Sequence, residues 1–219
     1  MNWNRIACVV LWLTALSLNG YGNVPDLPVE LGLINDWAAG KVGLEPTDCD
    51  EASLDGNTVG QFNKPLFPWS DGSIEIDLEK LVKAYSIQTD EALGILVQSV
   101  LLHEYMHMAG YGDEAGSGLH PEHPHPWIPD LEDCEHFHMH VSELHFLCDS
   151  ITHWLPPSTA YEHEVLAELC RIYMLLMVNL DSLRSDFSGC GVMAEKEFPG
   201  GYSIPEFDPD KLLPLCFGC

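Results

Sequence analysis

The sequence predicts a helix-dominated α+β domain built around one buried helix, and three observations predict it. Long stretches with apolar residues at helical spacing cover Thr89–Gly110, Cys134–Trp154 and Tyr161–Leu183. The one alternating stretch, Ser73-Ile74-Glu75-Ile76, is the length of a short strand with a single buried face. Between them lie Pro- and Gly-rich connections too irregular for further long elements.

The first 22 residues read as an export signal: a short n-region with Arg5, an apolar run from Ile6 to Leu18, and small residues at Gly20-Tyr21-Gly22. That run is short for a membrane span, and no later stretch approaches one, so the mature chain is expected to be soluble and secreted or periplasmic. Residues 23–219 then form a single domain, with 23–72 an irregular N-terminal portion and 73–219 the core. Of eight cysteines, Cys8 leaves with the signal. The seven others are expected to staple the fold through disulfides, with one thiol left over.

The chain carries 34 acidic against 9 basic residues, a formal net charge of −25. Such a surface repels nucleic-acid phosphates and anionic lipid, which removes nucleic acid and membrane surfaces from the expected partners. Cationic substrates, or a salty exterior, would suit it.

Within 23–72 one helix is expected at Val29–Ala39. The alternating Ser73–Ile76 either borders a binding cleft or completes a small sheet, and it leads into a helix at Leu78–Tyr85. Thr89 or Asp90 then caps a helix whose first turn is acidic, as the helix dipole favours. From Ala92 to Leu102 this helix is apolar almost all round, the mark of a buried one. It ends at Gly110, a residue that readily takes the left-handed conformation of helix C-termini.

The chemistry lies at that end, in His103-Glu104-Tyr105-Met106-His107-Met108-Ala109-Gly110-Tyr111-Gly112-Asp113. Residues four apart share a helix face, so His103 and His107 can present their imidazoles to one metal ion. Glu104, rotated about 100° from His103, sits beside the ion, where a general base for an activated water belongs. A turn at Gly110 can bring Asp113 back as a third ligand, leaving one position open, the arrangement of a catalytic zinc. A buried helix ending in charged and imidazole groups needs such a partner.

This segment, H-E-x-x-H-x-x-G-x-x-D, resembles the zincin metallopeptidases, and its Gly and Asp resemble the metzincin variant whose third ligand is Asp. The resemblance spans about eleven residues. It implies a zincin-like fold, Zn2+ held by His103, His107 and Asp113, Glu104 as catalytic base, and a peptide or protein substrate. None of the downstream Met139, Met174, Met177 and Met193 sits in an assignable tight turn of the metzincin kind.

Asp113–Asp133 is expected as a loop, with Pro121, Pro124, Pro126 and Pro129 too close for a helix, and it carries His120, His123 and His125. In the helix that follows, His136, His140 and Glu143 share one face and are rival third ligands, as is Glu164 on the next helix. Cys134 and Cys148, about 21 Å apart along one helix at 1.5 Å per residue, cannot bond each other. A Cys148–Cys170 bridge is the expected alternative. Val165, Leu166, Leu169, Ile172, Tyr173, Leu176 and Leu180 form a core stripe, and Phe187–Cys219 reads as loop. Tyr111 is a candidate donor to an oxyanion. Cys49 is the one thiol between signal and motif, able either to block a metal or to join a disulfide.

The functional expectation is an exported zinc-dependent metalloendopeptidase. The alternatives are a non-catalytic exported metal-binding protein, which the His and carboxylate content would suit, and a pseudoenzyme that keeps the site without turnover.

Overall fold

Thr89 starts the helix that organises the molecule: its side chain accepts from the Ala92 amide, and its backbone is extended. In this computed structural model the described residues are 31–56, 58–63, 72–111, 131–184 and 196–204, of which 131–136 and 178–184 are described by their backbone. The expected signal and Asp113 lie outside them.

The elements in chain order are α1 (Leu31–Val42), β1 (Asp48–Glu51), β2 (Gly60–Asn63), β3 (Ser73–Ile76), α2 (Leu78–Tyr85), α3 (Asp90–Met108), α4 (Leu131–His153), α5 (Ala160–Arg184), β4 (Lys196–Glu197) and β5 (Ser203–Ile204). The fold is helix-rich with a small sheet, as the sequence predicts. Among the described residues no helix is long and apolar enough to cross a membrane.

Helix α3 lies at the centre, packed by α1, α4, α5 and β2. Its Leu93, Leu96, Val97, Leu101, Leu102, Tyr105 and Met106 are buried, so the apolar run from Ala92 is core on several sides. The Glu168 carboxylate on α5 closes its N-terminus, accepting from the amides of Gln88 and Thr89 at 2.9 and 3.1 Å and from the Thr89 hydroxyl at 2.8 Å. The Thr89 amide is at the cap, where helix geometry leaves N–H groups without partners, and Gln88 lies one residue before it. At the other end Tyr111 N donates to Met106 O at 3.0 Å, and Gly110 holds φ at +79°. That left-handed glycine is the stop the sequence predicts.

The strand at Ser73–Ile76 forms as expected, with Ile74 and Ile76 fully buried. It is the middle strand of three, parallel to β1 and antiparallel to β2. Both of its edges are therefore occupied, and it completes a sheet rather than bordering a cleft. Strands β1 and β2 correct the expectation that the N-terminal portion is irregular. The hairpin β4–β5 likewise corrects the reading of Phe187–Cys219 as loop throughout. Leu131–Asp133 are helical rather than loop, and α4 and α5 otherwise cover the expected spans.

The expected staples differ most. No disulfide is seen among the described residues. Cys148 carries a free thiol inside the core, so the Cys148–Cys170 bridge is not formed, and the sulfur packs as a small apolar group. Cys49 is also a free thiol on β1, pushed up to about 11 by burial and by the charge of Asp50.

Candidate metal centre

The site begins with Tyr105, the residue between the two motif histidines. On the helix it points away from His103 and His107, which lie about 160° from it on either side. Its ring is fully buried. Its hydroxyl donates to Asn35 Oδ1 at 2.8 Å and accepts from Thr47 N at 3.0 Å, while Asn35 Nδ2 donates to Thr47 O at 2.8 Å. This triangle joins α1, the entry to β1 and the C-terminal half of α3. It fixes the rotation of α3, and so turns His103 toward Glu143 and His140 of α4.

There the Nε2 atoms of His103 and His107 lie 3.1 Å apart, with ring centroids at 4.9 Å. Two imidazoles bound to one tetrahedral zinc at about 2.0–2.1 Å hold their nitrogens about 3.3 Å apart, so the pair has nearly the spacing a shared ion requires. Glu104 is buried, and β2 lies against it: a Cβ added at Gly60 would fall 2.9 Å from Glu104 Oε1 and 2.5 Å from Val100 Cγ1. Only a glycine allows that approach.

On the opposite edge of His103, Nδ1 lies 2.8 Å from Glu143 Oε1, and Glu143 Oε2 lies 3.1 Å from His140 Nδ1. One carboxylate thus joins an imidazole of α3 to one of α4. Burial alone would raise the Glu143 carboxyl, but the charges of His140 and His103 outweigh it and hold the group well below the usual carboxylate range. Burial would lower His103, but the charge and hydrogen bond of Glu143, with the charge of Glu104, carry it above the ordinary histidine value. His103, His140 and Glu143 each offer a ligand atom within 4.8 Å of the others, so this trio is a second arrangement able to hold a cation.

No family model, curated protein or solved structure matches this chain.

Of the predicted ligands, His103 and His107 are brought together, and His140 and Glu143 arrive from α4 beside His103. Asp113 and the loop histidines His120, His123 and His125 lie outside the described residues, as does the side chain of His136. Glu164 stands exposed on α5, apart from the cluster. Tyr111, the candidate oxyanion donor, is buried with its hydroxyl 3.0 Å from His138 Nδ1 and its ring edge-on to Phe198 at 5.9 Å. Those contacts correct its reading as a donor to substrate.

Sequence reasoning missed Gly60 and the partners of Tyr105. Gly60 carries no local mark of its role, because the residue it meets is far along the chain. Tyr105 had a weak one: a hydroxyl on the core side of a buried helix requires a partner.

Proposed function

We propose that the protein is an exported zinc-dependent metallopeptidase of the zincin type, with zinc held by His103 and His107 and with Asp113 as third ligand. The observation that carries this reading is the 3.1 Å approach of the two Nε2 atoms on one face of a buried helix, with Glu104 buried one residue on. Two imidazole nitrogens at nearly the spacing of two zinc ligands, on a helix that also buries the carboxylate of the next residue, suit a shared zinc ion with a base beside it. When bound, zinc supplies Lewis acidity that polarises a scissile carbonyl and makes water more acidic.

The remaining work falls to the chain. Glu104 accepts the proton of the attacking water and returns it to the leaving amine. The wall of β2 at Gly60 keeps that carboxylate from swinging away. The acidic surface favours peptides with basic residues around the scissile bond and disfavours nucleic acid. The apolar segment at Ile6–Leu18 supports export.

A second reading, an exported metal-binding protein without catalysis, draws on the His103–His140–Glu143 trio, which could hold a cation without any role for Glu104.

Metal content decides first, by elemental mass spectrometry on protein purified without chelator or metal-affinity resin. About one zinc per chain, lost in His107→Ala, followed by peptide hydrolysis that disappears in Glu104→Ala, is the expected result. Zinc that survives His107→Ala, or hydrolysis that survives Glu104→Ala, would overturn the proposal.

A further inference from the structure

The carboxylate of Glu143 touches the motif from the side that no ligand of the Nε2 pair can use. The two nitrogens of an imidazole face opposite edges of the ring. His103 turns Nε2 to His107 at 3.1 Å and Nδ1 to Glu143 at 2.8 Å. An ion shared by His103 and His107 therefore cannot also reach Glu143. The 2.8 Å separation is an ion-pair distance, shorter than the roughly 3.3 Å between two ligands of one tetrahedral zinc.

We propose that Glu143 is a positioning residue for the metal centre: its carboxylate, anchored on α4 by His140, holds the His103 proton at Nδ1 and leaves the Nε2 lone pair facing His107. The inference rests on the metallopeptidase reading for the identity of the ion, and on the geometry alone for the position of the proton. A neutral imidazole binds metal through one nitrogen while the other keeps its hydrogen, and a carboxylate on that hydrogen fixes both tautomer and ring orientation. Glu143 is well placed for this. Its side chain is 11 % exposed, and its second oxygen is taken by His140 Nδ1 at 3.1 Å, so the carboxylate is tethered at both ends. Helix α4 thereby sets the orientation of a ligand that belongs to α3.

Two measurements on the full chain test it. In the first, metal-free wild type, Glu143→Gln, His140→Ala and His107→Ala are titrated with zinc against a chromogenic chelator. Glu143→Gln is expected to keep one zinc per chain with affinity weakened about 10–100-fold, the usual cost of removing an outer carboxylate partner. His140→Ala is expected to weaken binding less, and His107→Ala to abolish it. Loss of zinc in Glu143→Gln as complete as in His107→Ala would make Glu143 a ligand, and unchanged affinity would remove its role; either overturns the proposal.

The second measurement reads the His103 tautomer by 15N NMR of metal-free protein across a pH series, at the points where the ring's own shifts show it neutral. Hydrogen at Nδ1 in wild type, shifting toward a mixture in Glu143→Ala with melting behaviour showing a folded chain, is expected. The same tautomer in both proteins would overturn the proposal. Failure of wild type to bind zinc would sink the metallopeptidase reading, while the tautomer result judges Glu143 by itself.

Discussion

Gly60 and Glu104 are separated by most of the sheet and two helices in sequence, yet a single added carbon on Gly60 would stand 2.9 Å from the Glu104 carboxylate. The first residue of an edge strand thus forms one wall around the proposed base. Gly60→Ala is expected to force Val100 and Glu104 aside, with an overpacking cost of about 1–3 kcal/mol. Because neither histidine is touched, zinc should remain bound while kcat falls at least tenfold. Thermal melting, zinc content and steady-state kinetics on one preparation check this, and an unchanged kcat would show that the wall is dispensable.

Glu104→Gln preserves the size of the side chain and removes its basicity. Turnover should drop by about 10²–10⁴-fold, the usual worth of a positioned general base, with zinc stoichiometry and melting temperature nearly unchanged. A fall in zinc content comparable to that of His107→Ala would instead mark Glu104 as a ligand.

Tyr105→Phe removes one oxygen and leaves Asn35 Oδ1 and Thr47 N without their partner. Removing one partner from a buried polar network costs about 1–3 kcal/mol, so a loss in that range is expected from urea unfolding. Zinc affinity should fall too, because the rotation of α3 is no longer fixed. A stability loss without any change in affinity would show that the histidines are oriented from α4 alone.

Much of this architecture was legible in the chain. The cap at Thr89, the stop at Gly110, the strand at Ser73–Ile76 and the helix at Leu78–Tyr85 follow from local signals, and each is present. Strands β1 and β2 were not legible. Asp48-Cys49-Asp50-Glu51 has no alternation of apolar and polar residues, and it is extended only because its backbone pairs with β3, about 25 residues away in the chain. The site divides the same way. A four-residue spacing announces His103 and His107, and a three-residue spacing places His140 with Glu143 on one face. Which nitrogen of His103 meets which partner depends on the crossing of two helices, and no sequence period encodes that.

Asp77 offers a test of the fold by pH. Its carboxylate accepts from the amides of Lys80 at 2.8 Å and Leu54 at 3.0 Å, and Lys80 Nζ lies 3.4 Å away. Burial opposes the charge, but these partners outweigh it and lower the pKa below the ordinary aspartate value. A carboxylate depressed in the folded state stabilises the protein above its unfolded pKa, near 3.9, and this contribution is lost as pH falls through the folded value. Asp77→Ala should therefore cost about 1 kcal/mol at neutral pH through loss of the helix cap. The gap between variant and wild type should narrow below about pH 4 in denaturant unfolding followed across pH. A constant gap would mean that the cap acts through packing rather than charge.

The three-stranded sheet ends at β1, and no further strand pairs with it among the described residues. Three of its four side chains are the exposed carboxylates of Asp48, Asp50 and Glu51. Two copies meeting along this border would bring those negative charges face to face, and burying them together would cost more than the new backbone hydrogen bonds return. The border therefore guards the chain against stacking with its own kind, by charge rather than by shape.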